Sequence, residues 1–166
     1  MSQWTHFLGT VQCCGTKEEV EKAFGKPVLW NDLSRLGYQY GTPEYEDYDE
    51  HVWCQAFRDF EHGRGIPMGS EGSINWKFSD TRNIDGEGED YTAMGEGSLI
   101  AIEGDLRDFG YEDDIQKSID WFVKGCNAVR ARLATLYINA EWGDTILIEF
   151  TWGKVSKHVL RARKEG

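Results

Sequence analysis

Apolar and polar positions alternate most clearly at the start of the chain. From Trp4 to Gln12, Phe7 and Val11 fall on one side of an extended segment, with Trp4, His6 and Leu8 on the other. That period predicts a strand with both faces partly buried. Thr16-Lys17-Glu18-Glu19 then reads as a capping box, with Val20, Ala23 and Phe24 as the apolar stripe of a short helix that Gly25 and Pro27 end. Ile74, Trp76 and Phe78 alternate with Asn75, Lys77 and Ser79 as a second strand, and the apolar run Ser98–Glu103 suits a central third. From Tyr111 to Arg130, Ile115, Ile119, Phe122, Val123, Cys126 and Val129 recur at helical steps, with Glu112, Asp113 and Asp114 in the first turn. Leu133–Ala140 and Thr145–Trp152 alternate again around Glu-Trp-Gly-Asp, which predicts a hairpin.

Two stretches lack a period. Residues 28–66 mix Tyr, Trp and Phe with many acids, too aromatic for a free linker, and are expected to be an ordered insertion with little regular structure. Residues 80–97 are rich in glycine and acid and read as a flexible connection. The tail, 154–166, is basic and without pattern.

The order of elements predicts one α+β domain over residues 1–166. Its first six elements fit a ferredoxin-like split βαβ (β-α-β-β-α-β): an antiparallel sheet with two helices on one face, here with an extra C-terminal strand and an irregular insertion. Phe7, Val11, Ile100 and Ile102 then face the helices. By parity Trp4, His6, Leu8, Leu99, Ala101 and Glu103 share the opposite surface, where His6 and Glu103 form a candidate acid–base pair.

Composition narrows the partners. A net charge of −11 and a pI near 4.8 argue against binding a phosphate backbone and favour basic protein faces. Cys13, Cys14, Cys54 and Cys126 form no C-x-x-C pair, and the vicinal pair is poor geometry for a disulfide or zinc, so reduced, mostly buried thiols are expected. No basic-then-apolar leader opens the chain, and no apolar run approaches the roughly 20 residues of a membrane span. A cytoplasmic location is therefore expected, without membrane attachment.

Candidate chemistry lies in three places. Gly69-Ser70-Glu71-Gly72-Ser73 could aim amides and hydroxyls at an anion, but it opens a strand rather than a helix, and Glu71 repels phosphate. A tight turn is the plainer reading. In Glu103–Asp108, Arg107 could clamp an anion, Asp105 could orient a ligand, and the same residues could instead form an Arg–Asp turn network. The four histidines lack metal spacing, and no nucleophile elbow or repeated His-x-Thr/Ser is present. Neither catalytic residues nor a metal or cofactor are expected.

Trp4-Thr5-His6, Gly9, Gly69–Ser73, Ile102–Asp108 and Ile119-Asp120-Trp121-Phe122 together resemble a family of small, uncharacterised phage-encoded proteins. Those share a Trp-x-His start, a Gly-Ser-Glu-Gly-Ser loop and a Gly-Asp-Leu-Arg-Asp turn before a helix. The resemblance implies a phage or prophage origin and an accessory, anti-defence role in the host cytoplasm. Two functions follow as expectations. One is sequestration of a small anionic nucleotide-type signal by Trp4, His6, Ser70, Glu71, Ser73, Glu103, Asp105 and Arg107, with Arg64 and Arg82 as further phosphate partners. The other is an acidic protein–protein inhibitor that imitates nucleic acid and occupies a host defence effector. A phosphodiesterase built on His6 ranks third. Pairing of the basic tail with acidic loops predicts a homo-oligomer.

Overall fold

The computed structural model describes residues 2–28, 42, 43, 46, 49–80 and 97–161. Residues 29–41, 44, 45, 47, 48 and 81–96, Arg82 among them, and the last five residues lie outside that set. The described chain is α+β, with a six-stranded antiparallel sheet and three helices. The strands are β1 (Trp4–Cys13), β2 (Asn75–Asp80), β3 (Ser98–Arg107), β4 (Leu133–Ala140), β5 (Thr145–Thr151) and β6 (Lys154–Arg161). The helices are α1 (Lys17–Phe24), α2 (Cys54–Glu61) and α3 (Glu112–Ala128), and a π-helical turn, Asp49–Trp53, leads into α2. Across the sheet the order is β2-β3-β1-β4-β5-β6.

The helices cover one face. There Phe7, Val11, Ile100, Ile102, Leu136 and Ile148 meet Val20, Phe24, Phe60, Ile119 and Phe122 in one buried cluster. Rings knit the layers: Phe24 meets Trp121 edge-on at 5.3 Å, and Phe109 lies between Phe7 and Phe60 at 5.7 Å from each. Among the described residues no helix lies on the opposite sheet face. Leu8 is 64% exposed there, in the same row as Glu103 and Tyr137.

Local chemistry sets the helix boundaries. Thr16 Oγ1 accepts from the Glu19 amide at 3.2 Å, and Glu19 accepts from the Thr16 amide at 2.8 Å, which closes the expected capping box. Replacing Thr16 by alanine is expected to cost about 1 kcal/mol, lowering Tm by about 2–4 °C in a scanning calorimeter. An unchanged Tm would show that α1 depends on packing alone.

Three expectations need correction. The insertion is not without regular structure: α2 forms within it because Phe60 docks on Phe109, with Lys117 of α3 over the same ring. That gives three helices rather than two. The basic tail is a strand, β6, fully paired with β5, so two strands rather than one extend the sheet beyond β4. Every residue of β6 is exposed, including Val155 and Val159 opposite buried Phe150 and Ile146, because the helical layer does not reach this edge. The four cysteines are free, as expected, but only Cys13 and Cys126 are buried.

Candidate functional site

Register decides which predicted residues meet. On β1 and β3, Trp4 lies opposite Arg107, His6 opposite Asp105 and Leu8 opposite Glu103. His6 Nδ1 is 2.6 Å from Asp105 Oδ1, so its acid partner is Asp105 and not the expected Glu103, whose carboxylate lies 3.7 Å from Lys77 Nζ. Parity assigned the face correctly, but two acids two residues apart share that face, and only the register separates them.

The Gly69–Ser73 loop is docked against the end of β3. The Gly69 amide donates to Gly72 O and the Ser70 amide to Arg107 O, while the Arg107 amide donates to Glu71 O. Gly72 adopts φ +82°, the left-handed region that suits glycine. The Ser70 hydroxyl donates to Asp108 at 2.7 Å, and the buried Ser73 hydroxyl donates to Val28 O. The loop's amides and hydroxyls are thus largely committed to the chain itself, as a tight turn requires.

Arg107 is equally engaged. Its guanidinium pairs with the Glu71 carboxylate and donates to Ser2 Oγ at 2.7 Å, and Nε lies 3.8 Å from Asp108. Glu71, Glu103, Asp105 and Asp108 outnumber Arg107 and Lys77 at this end of the sheet. An incoming phosphate would have to displace Glu71 and approach a surplus of negative charge. Trp4 completes the cluster, its amide donating to Glu141 at 3.1 Å. Trp4, His6, Ser70, Glu71, Glu103, Asp105 and Arg107 therefore form one continuous surface, acidic in balance, while Ser73 is buried beneath it.

A different charge environment lies on the helical side. The C-terminal end of α1, the turn after α2 and the outer face of α3 enclose a cavity of about 280 Å³. Among the described residues Lys22, Arg64, Lys117 and Lys124 line it with one acid, Asp120, which accepts from Gln116 at 2.9 Å. Arg64 Nη2 lies 3.7 Å from Asp59 Oδ1. Phe60 and Trp121 supply aromatic wall. The Trp121 indole donates to Phe24 O at 2.8 Å and that of Trp76 to Gly25 O at 2.7 Å. Two carbonyls at the α1 terminus are thereby satisfied and present less negative charge to the cavity. Lys117 Nζ lies 5.8 Å from the Phe60 centroid, which holds the ammonium at the mouth. Of these cations, only Arg64 was a sequence candidate. Lys117 and Lys124, seven residues apart on one helix face, were the legible signal for the rest.

A second, more open hollow of about 750 Å³ lies beside α2, lined by Trp53, Phe57, Arg58 and, from the predicted set, Ser70. It is mostly apolar, with Arg58 and His51 as basic side chains among the described lining residues. Burial pushes the Cys126 thiol far up and makes it a poor nucleophile. Burial likewise raises the Asp114 carboxyl, with Lys117 offsetting part of the rise. Among the described residues no group of three or more His, Cys, Asp or Glu side chains is placed to hold a metal ion, and no helix is long and apolar enough to cross a membrane. The chain matches no protein-family model, no curated protein and no solved structure.

Proposed function

We propose that this chain is a phage-type accessory protein that binds and sequesters a small anionic nucleotide-type ligand, seated in the cavity between α1, α2 and α3. One observation carries the reading: in a chain of net charge −11, the described residues bring four cations, one of them Arg64 beside Asp59, and one lining acid to an aromatic-walled cavity. Its size lies just below the ~300–1,000 Å³ usual for small-molecule sites, which suits a mononucleotide better than a larger signal. Phosphate would meet the ammonium groups, and a base would lie against Trp121 or Phe60. We read the underlying unit as a ferredoxin-like split βαβ extended by β5 and β6. The order β2-β3-β1-β4 and the placement of α1 and α3 support that reading.

A thermal-shift panel of mononucleotides, cyclic dinucleotides and ADP-ribose derivatives tests the proposal. Ligand at a hundredfold over Kd is expected to stabilise by about 2.7 kcal/mol, some 5–10 °C at this chain length. Lys117→Glu with Lys124→Glu should abolish the shift, and Arg107→Ala should leave it. Loss in Arg107→Ala with retention in the lysine pair would return the site to the sheet face and sink the cavity assignment. Recovery of the ligand intact by chromatography completes the case for sequestration. Recovery of cleaved ligand would favour a phosphodiesterase using His6 and Asp105.

A second reading, an acidic inhibitor that occupies a basic protein surface, draws on Glu71, Glu103, Asp105 and Asp108 at one end of the open sheet face. A null across the ligand panel would leave this as the working function.

A further inference from the structure

The open sheet face has a charge order that the ligand-binding reading does not use. Register sorts its side chains into rows that run across the strands. One row is Asp105, His6, Asn139, Thr145 and Arg161; the next is Glu103, Leu8, Tyr137, Leu147 and His158. In each row the acid lies on β3, the cation or histidine on β6 and the middle on β1 and β4. A third row reverses the order, with Lys77 on β2 and Glu149 on β5. Along the middle, Leu8, Leu133 and Tyr137 are 64%, 48% and 37% exposed. An apolar centre that no described helix covers, flanked by opposite charges at opposite edges, is the pattern of an interface.

We propose that this face docks against the same face of a second copy, as a two-fold dimer whose axis runs parallel to the strands between β1 and β4. The charges select that axis. Rotation about it lays β3 of one copy near β5 and β6 of the other at the same row, so Asp105 and Glu103 approach Arg161 and His158 of the second copy. By the same operation Lys77 approaches Glu149. Leu8 and Tyr137, paired across β1 and β4, flank the axis, so Leu8 of each copy meets Tyr137 of the other and the four side chains form the desolvated centre. A two-fold perpendicular to the strands would instead stack β3 acids on β3 acids and β6 cations on β6 cations, and is disfavoured.

Edge-to-edge pairing through β6 is the competing arrangement, and the same strand opposes it. Antiparallel β6 pairing centred on Lys157 would set Lys157 beside its own copy, a like-charge contact at the middle of the seam. Within one copy Arg161 Nη2 lies 3.3 Å from Asn139 Oδ1 and His158 Nε2 2.7 Å from Glu149, so both heads are already held toward the open face.

Sedimentation velocity on the full chain at about 100 μM is the test. The expected species has twice the 19.0 kDa chain mass. Leu8→Arg should raise the dimer Kd by about 100-fold, as removal of a central anchor does. Asp105→Lys should also give monomer, and adding Arg161→Asp should restore the dimer. Circular dichroism confirms that each variant folds, and the restored dimer guards against a folding defect in the single variant. A wild-type monomer overturns the proposal. So does a dimer that survives Leu8→Arg and dissociates on Val155→Lys with Val159→Lys, which would place the contact at the β6 edge.

Discussion

Phe109→Ala is expected to destabilise the protein by about 3–5 kcal/mol, lowering Tm by on the order of 10 °C. The ring is 2% exposed and joins two parts of the fold that no hydrogen-bonded strand pair connects. Phe7 of β1 meets it edge-on at 76°, and Phe60 of α2 stacks on it at 29°. Truncation leaves a cavity beneath the helical layer and removes two aromatic pairs, each worth about 0.5–1.5 kcal/mol beyond its buried area. The loss should not be uniform. Because α2 rests on the sheet chiefly through Phe60, its amides should lose protection from hydrogen exchange first, while those of β1 and β3 stay protected up to global unfolding. A Tm change under about 2 °C, or equal loss of protection in α2 and β1, would show that α2 is anchored elsewhere.

That dependence of α2 on a contact between residues far apart in the chain explains why the helix was not legible in the sequence. Phe57 and Phe60 have helical spacing, but they sit among Tyr, Trp and acidic residues that blur the stripe. Strands β1 and β3 were legible for the opposite reason. In both, burial on one face forces apolar residues at Phe7 and Val11 and at Ile100 and Ile102, which showed as alternation in β1 and as an apolar run in β3. The second face, expected to be partly buried in β1, is the more exposed one. Strand β6 has no buried face, so nothing forces alternation on Lys154–Arg161, and a paired strand reads as a basic tail. The Thr16 box was legible because it is chemistry among four consecutive residues.

The candidate site divides along the same line. Parity placed Trp4, His6 and Glu103 on one surface, and β3, running on to Arg107, carries Asp105 and Arg107 there as well. Pairing preference did not follow from parity, which is why His6 meets Asp105 rather than Glu103. The cationic cavity was hidden because Lys22, Arg64 and the pair Lys117 and Lys124 come from three separate segments. No local pattern links them. Its electrostatic character is also masked by a whole-chain charge of −11, which describes the long-range field and not a cavity with its own local balance.

Gly72→Ala is expected to be the most damaging single-methyl change in the Gly69–Ser73 loop, and Gly153→Ala is its control. Both glycines hold nearly the same left-handed backbone, φ +82° and +83°, so both substitutions incur strain of about 1 kcal/mol. Space separates them. A Cβ at Gly153 meets nothing within 4 Å, whereas one at Gly72 would run into the carbonyl oxygen of Asp105 and lie 3.1 Å from its carbon. That obstacle is β3 backbone and cannot swing aside as a flexible side chain would. The loop must lift, and lifting it threatens the Ser70 amide bond to Arg107 O, the Arg107 amide bond to Glu71 O and the Glu71–Arg107 ion pair. Each neutral bond contributes about 0.5–1.5 kcal/mol net, so Gly72→Ala should cost roughly 2–4 kcal/mol against about 1 for Gly153→Ala. Denaturant titration of the two variants measures the difference, with m-values expected to match wild type. Equal losses would mean that the loop shifts without releasing β3, and that the lattice of bonds around Arg107 is not what holds it. A larger loss at Gly72, with the ligand-induced thermal shift retained, would establish that the loop is a structural turn and separate its role from that of the cationic cavity.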